Sequence, residues 1–278
     1  MKQQIFAVAR KLLKPYTLAS LSEQAAPVVD VPTAHGPIHF PCRGPKAWWR
    51  ANTALTKERG TLAWIDSFSA GSTLWDVGAN IGVYSLYAAK RGIRALAFEP
   101  QPLSYANLVE NAAMTTGVMA FPVGFGASTK VEIIRTDTLS PGVADIGASH
   151  LGHIEVPIVM YTMDDFAKFP GVASSDYVKV DVDGIEMEVL RGALATMASI
   201  RELQIELDVS DMHAATEMLA PAGLRPYVID ARAEHLEEKA RHLVSNNQIF
   251  LGSRVPTDIP FIAHQGRLGF NVRFRRFG

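Results

Sequence analysis

The segment from Thr73 to Pro100, TLWDVGANIGVYSLYAAKRGIRALAFEP, constrains the fold more than any other part of the chain. Leu74, Trp75 and Val77 form a short apolar run that ends at Gly78, so a buried strand turns where glycine permits it. Ile81, Tyr84, Ser85 and Ala88 then recur at the spacing of one helical face, which predicts an amphipathic helix. Lys90 and Arg91 fall in its last turn, and Gly92 lies just past its end. A second apolar run, Arg94 to Phe98, closes the unit, with Glu99 at its carboxyl end. Strand, helix, strand is one parallel crossover, and its loops lie where open α/β sheets bind ligands.

The glycines discriminate between two kinds of ligand. A dinucleotide site needs G-x-G-x-x-G, because its second glycine admits the pyrophosphate and its third lets helix and strand pack closely. Here Asn80 occupies the second position and Val83 the third, and only Gly82 is added. The pattern favours S-adenosylmethionine, which carries no phosphate, over NAD(P). Asp76 and Asn80 then suit its amino-acid end, and ionised Glu99 suits a ribose diol in either ligand.

Composition bounds the rest. The chain of 278 residues is 48% hydrophobic and 20% charged, enough for a substantial core, and implies one main domain with appendages. A formal net charge of -1 argues against a sequence-independent grip on nucleic acid. Cys42 is the single cysteine, which excludes an intrachain disulfide and a thiolate zinc site and fits a reducing cytoplasm. The opening MKQQIFAVARKLLKPY is interrupted by Arg10 and Lys11 too early for a signal peptide or a transmembrane segment. It reads as a helix docked on the body or on a second subunit in a homodimer, with weak peripheral membrane contact as the alternative.

Before the glycine unit, VVDVPTAHGPIHFPC predicts a hairpin around Gly36, and the stretch after it predicts helices carrying Trp48, Trp49 and Trp64. These tryptophans suit packing against the core, or an aromatic surface for a sugar or acyl ligand. After Pro100 come a helix ended by Gly117 and a third strand, Met119 to Val123. KVEIIRT and HIEVPIVMYTMDDF read as a β insertion around a glycine-rich loop. Residues 139–153, with Gly142, Gly147 and Gly152, are expected near an acceptor entrance. DYVKVDVDG and ELQIELD are the next strands of the sheet, and RPYVID and NNQIFLG would supply the last two, as an antiparallel pair. The basic, aromatic RLGFNVRFRRFG reads as an extended strap or interface.

Taken together, WDVGANIGVYSLYAA, AFEPQPLSYANLVEN and VKVDVDGIEMEVLRGA resemble the FkbM family of S-adenosylmethionine-dependent methyltransferases. The resemblance covers roughly residues 73–252. It implies a Rossmann-like class I α/β fold, a seven-stranded, mostly parallel sheet with helices on both faces. Around it the chain divides into an N-terminal helical and hairpin cap (1–66), a methyltransferase domain (67–252) and a basic C-terminal tail (253–278). The implied reaction is O-methylation of a hydroxyl on a sugar, glycan or natural-product acceptor. Asp76, Gly78, Ala79, Asn80, Gly82 and Tyr84 correspond to the first cofactor loop and Glu99 with Pro100 to the ribose site. Gly124 and Phe125 stand where adenine is expected, and Asp181 borders both cofactor and acceptor.

The acids carry the expected chemistry. A neutral hydroxyl is a poor nucleophile, so a positioned base helps. Asp181 ends the fourth strand, with Asp183 and Glu186 following, and three converging acids would raise one another's pKa values. Asp183 and Glu186 also suit simple capping of the next helix. Glu206 and His213 are further candidates on the same rim, and an aromatic face at Tyr84 or Phe125 suits the sulfonium cation. No metal is expected, although the acids could hold magnesium; His150 and His153 are a weak metal signal. An NAD(P)-linked oxidoreductase and methylation of a small-molecule amine are the competing readings. No Asn/Asp-Pro-Pro-Tyr/Phe segment for flipped bases follows the fourth strand, and nucleic acid is not an expected partner.

Overall fold

The computed structural model describes residues 14–17, 20, 26–136, 138–142, 153–182, 184–230 and 269–276. The expected hairpin forms from β1 (Val28–Val31) and β2 (Ile38–Pro41), with Gly36 at a φ of 99° in the turn. Two helices follow, α1 (Pro45–Asn52) and α2 (Arg59–Asp66). The glycine unit folds as predicted into β3 (Thr73–Val77), α3 (Val83–Lys90) and β4 (Arg94–Phe98). After α4 (Pro102–Ala113) and β5 (Val118–Phe121) the chain leaves the main sheet. β6 (Gly124–Phe125), β7 (Lys130–Thr136) and β8 (Ile154–Tyr161) make a separate three-stranded sheet, the expected insertion. The chain returns through α5 (Met163–Phe166) to β9 (Tyr177–Val180), then α6 (Glu186–Arg191), α7 (Leu194–Met197), β10 (Glu202–Asp208), α8 (Met212–Leu219) and β11 (Leu224–Asp230). The last strand is β12 (Gly269–Arg276).

The main sheet has seven strands in the order β11-β12-β10-β9-β3-β4-β5. The pairs β10/β9, β9/β3, β3/β4 and β4/β5 are parallel, and β12 is antiparallel to both its neighbours. This is the mostly parallel Rossmann-like α/β sheet expected. From β3 the chain runs outward through β4 and β5, then crosses to β9 on the other side. That reversal is a topological switch point, and it opens a crevice at the carboxyl ends of β3 and β9.

Three expectations need correction or delimiting. The segment RLGFNVRFRRFG is not an appended strap where it is described: Gly269–Arg276 inserts between β10 and β11. Its alternation explains both halves of its composition. Val272 and Phe274 are fully buried, while Arg273 donates to the Gln204 side chain at 3.0 Å and Arg275 to Glu202 at 2.7 Å. NNQIFLG, expected to be this strand, lies outside the described residues, as do residues 1–13 with the basic amphipathic reading. Finally, α3 is not amphipathic, since Ser85, Leu86, Tyr87 and Ala88 are buried in succession. The sheet covers one side and the cap the other, where Ile38, Trp64, Ile65 and Phe68 join Leu86 and Tyr87 in one apolar cluster.

Candidate active site

The loop after β3 is fixed by its own backbone. Gly78 and Ala79 both donate N–H to the Phe98 carbonyl at 3.0 Å, and the Asn80 N–H reaches Glu99 Oε2 at 2.9 Å. Gly78 has a φ of 79°, and a Cβ there would fall 1.9 Å from the Asp181 carbonyl oxygen. Only glycine lets the β3 loop press against the end of β9. Asn80 also takes a positive φ, 53°, which asparagine tolerates better than most residues. Gly82 is buried against Leu86 and Leu108 and lines neither of the cavities described below. Its local requirement is helix packing.

Two cavities meet at Gly78. One, of about 270 Å³, has apolar walls from Val77, Phe98, Pro100, Val123, Phe125, Met160, Val182 and Ile185, with Gly124. A Cβ at Gly124 would lie 2.4 Å from Met160 Sδ, so a side chain there would have to displace that flexible thioether. Phe125 is only 1% exposed and stacks at 6.1 Å on Trp75, so much of its face is committed to the core. Glu99, also buried, accepts from Gln101 N–H at 2.9 Å besides Asn80. It therefore organises the loop, a duty its sequence position did not reveal.

The second cavity, about 410 Å³ and open to solvent, is polar. Residues 78–81, Val83 and Tyr84 form one wall, Lys179 and Asp181 another, and the cap supplies Arg50, Thr53, Ala54 and Lys57. Lys179 was missed as a candidate. Its side chain is 2% exposed, yet its ammonium lies 3.1 Å from Asp181 Oδ2 and 3.9 Å from Asp76 Oδ1. It also sits 5.0 Å over the Tyr84 ring. A cation thus already occupies one face of the Tyr84 ring, one of the two rings expected to receive the sulfonium. The available signal was the alternation of VKVDV, which puts Lys179 and Asp181 on the same face of one strand.

The electrostatics overturn one expectation at Asp181, although burial and then the Asp181 charge do push the Glu186 carboxyl up. Burial pushes the Asp181 carboxyl up, but Lys179, a hydrogen bond with Glu206 and Lys57 together hold it well below the carboxylate range. Asp181 is thus a weak base held ionised, and converging acids do not raise it. Burial likewise opposes charge on Lys179, and Asp181, Asp76 and Glu58 more than offset it, so the ammonium stays protonated. Asp76 is fully buried behind the cleft wall, its carboxyl pushed up by burial despite Lys179 and a 2.6 Å bond donated by Ser85. Burial and the neighbouring Glu58 carboxylate, to which it donates, raise the Tyr84 phenol.

The remaining candidates separate. Glu206 joins Asp181. His213 does not: its side chain is 86% exposed and its acid neighbour is Glu217 at 3.4 Å, one helical turn on. Glu186 opens α6 and accepts from Gly184 N–H at 2.8 Å in the preceding turn, but no side-chain hydrogen bond caps the helix. Asp183 and His150 lie outside the described residues, as does the insertion loop beyond Gly142. Gly142 itself reaches the cap, its carbonyl accepting from Arg50 Nε at 2.6 Å and its N–H donating to Ser104 at 3.1 Å. Trp64 is buried and donates to Glu202 at 2.8 Å, whereas Trp48 and Trp49 are about half exposed. Among the described residues no helix is long and apolar enough to cross a membrane.

Known proteins identify the family. The Methyltransferase FkbM domain family matches residues 76–228, more than half of the chain. A hexuronic acid methyltransferase, AglP, of Haloferax volcanii is 26% identical over 179 residues, covering 63% of this chain and 73% of the relative. Methyltransferase sdnD of Sordaria araneosa is 29% identical over 187 residues, 55% and 68% of the respective chains. Among solved structures, the chain is similar to magnesium protoporphyrin IX methyltransferase of Synechocystis with bound S-adenosylmethionine, at a TM-score of 0.45, 9% identity and 84% coverage of each chain. The chain therefore belongs to the FkbM family of methyltransferases, and its cofactor is S-adenosylmethionine.

Proposed function

We propose that this enzyme transfers a methyl group to a hydroxyl of a sugar, glycan or natural-product acceptor. The observation that carries the reading is the ionised Asp181 on the wall of a cleft bordered by both the β3 loop and the cap. The hexuronic acid named for the Haloferax relative supports a sugar.

The cavities suit the cofactor in chemistry. The apolar one fits a purine, and Glu99, which precedes its wall residue Pro100, would hold the ribose. The residues 78–81 and Tyr84 would border the amino-acid end, with Asp76 behind them acting through Lys179. When bound, S-adenosylmethionine supplies an electrophilic methyl: the oxygen–carbon bond forms as the sulfur–carbon bond breaks, and that electron pair goes to sulfur.

Asp181 accepts the hydrogen bond of the incoming hydroxyl and so orients the oxygen. It is too weak a base to deprotonate an alcohol beforehand, and does not need to. As the oxygen gains its new bond its proton becomes far more acidic than any carboxylic acid, and Asp181 can then take it. Lys179 keeps Asp181 ionised for this role, and Glu206 fixes the carboxylate's orientation. Positioning is the larger share of the work.

A second reading is transfer to a carboxylate, giving a methyl ester. The low basicity of Asp181 favours it, because such a nucleophile carries no proton to remove. The test is to supply labelled S-adenosylmethionine with fractionated cell extract and identify the product. An ether that survives mild alkali supports the hydroxyl reading; an alkali-labile methyl supports the ester, and a methylamine sinks both.

A further inference from the structure

The cleft is unusually cationic on the side contributed by the cap. Arg50 in the last turn of α1, and Thr53, Ala54 and Lys57 in the turns that follow it, line that side. Among the charged residues lining it, Arg50, Lys57 and Lys179 are cations and Asp181 is the single acid, already paired with Lys179. Lys57 is half spent, since it lies 3.1 Å from the buried Glu58. Arg50 is different. Its Nε donates to the Gly142 carbonyl at 2.6 Å, and no carboxylate pairs with it among the described residues. The bond to a neutral oxygen holds the guanidinium in place without neutralising it.

Resting on the sugar reading above, we propose that Arg50, supported by Lys57, forms an anion subsite and that the acceptor is a sugar bearing a carboxylate. A guanidinium presents a planar fork that matches a carboxylate with two parallel hydrogen bonds. One nitrogen of this fork is anchored, so its orientation is set before the ligand arrives, and less side-chain entropy is lost on binding. The sulfonium of the cofactor adds another positive charge, and an acceptor anion offsets it. Arg50 and Lys57 both precede residue 76, where the family match starts, so the subsite belongs to the cap and selects the acceptor.

Calorimetry on the full chain loaded with adenosylhomocysteine, titrated with glucuronic acid and with glucose, tests the proposal. Glucuronic acid should bind at least about tenfold more tightly than glucose, as a charge-assisted pair allows. Arg50→Gln should abolish that preference, Arg50→Lys should restore part of it, and adenosylhomocysteine affinity should stay constant in all three proteins. Equal binding of the two sugars, or an undiminished preference in Arg50→Gln, overturns the subsite. So does a loss of adenosylhomocysteine affinity in Arg50→Gln, which would give Arg50 to the cofactor. Equal methylation of glucose-ended and glucuronic-acid-ended oligosaccharides would remove the subsite yet leave sugar O-methylation standing. Arg50-dependent glucuronic acid binding by a protein that methylates only amines would uphold the subsite and sink the hydroxyl reading.

Discussion

Asp181 and Lys179 stand two residues apart on one strand end, and each sets the other's charge. Asp181→Asn keeps the shape and removes most of the basicity, so turnover should fall by roughly two to four orders of magnitude with cofactor affinity near wild type. Weaker cofactor binding with little loss at saturation would instead make Asp181 a cofactor ligand. The pH dependence follows from the same pair. The folded-state pKa of Asp181 lies below its unfolded value of about 3.9, so its stabilisation is present above that pH. It is lost only as pH falls through the lower folded value. The kcat/KM profile should therefore be flat from about pH 8 to about pH 5, with no acid limb from Asp181. In Lys179→Met burial is less opposed, the carboxyl rises, and an acid limb should enter that window. Identical profiles would remove Lys179 from the site's electrostatics. Glu99→Ala should weaken cofactor binding by roughly ten- to a hundredfold, through the ribose contact and the released Asn80 N–H together. Unchanged affinity would show that β4 does not end at the ribose.

At the scale of elements, the close approach of the β3 loop to β9 is the feature on which the site depends. Gly78→Ala combines the left-handed backbone cost, about 1–2 kcal/mol, with a clash against the Asp181 carbonyl. Gly71→Ala has a similar φ, 75°, and nothing within 4 Å, so it isolates the backbone cost. Thermal unfolding should show the larger loss at Gly78, and equal losses would mean that the contact is unimportant. This contrast also marks what could be read in advance. Local patterns gave β3, α3 and β4, because alternation, helical spacing and punctuating glycines are written within a few residues. Asp181 with Glu206 followed from their places at neighbouring strand ends. The burial of α3 did not, since it depends on the cap, which precedes the glycine unit in the chain. Lys179 looked like an ordinary strand lysine until Asp76, Asp181 and Tyr84 were brought around it. His213 failed for a related reason: being near a strand end in sequence does not turn a helical side chain inward.

For the molecule as a whole, the cap, the sheet and the last strand are tied by one buried polar chain. Trp64 of the cap and Arg275 of β12 grip the two oxygens of Glu202 from opposite sides, and Thr61, Gln204 and Arg273 repeat the arrangement one step along. Trp64→Phe keeps the ring but removes its N–H, and should cost about 1–3 kcal/mol by urea unfolding. No change would indicate a cap that folds independently of the sheet. The position of β12 has a consequence in time. Its neighbours on both sides precede it in the chain, and residues 231–268 separate it from β11. The gap between β10 and β11 therefore stays open on the ribosome until residue 276 has emerged, with two unpaired strand edges exposed meanwhile. Synthesis at roughly 5–20 residues per second makes that a wait of several seconds after β11 is complete. During that wait the nascent chain is exposed to strand-mediated association.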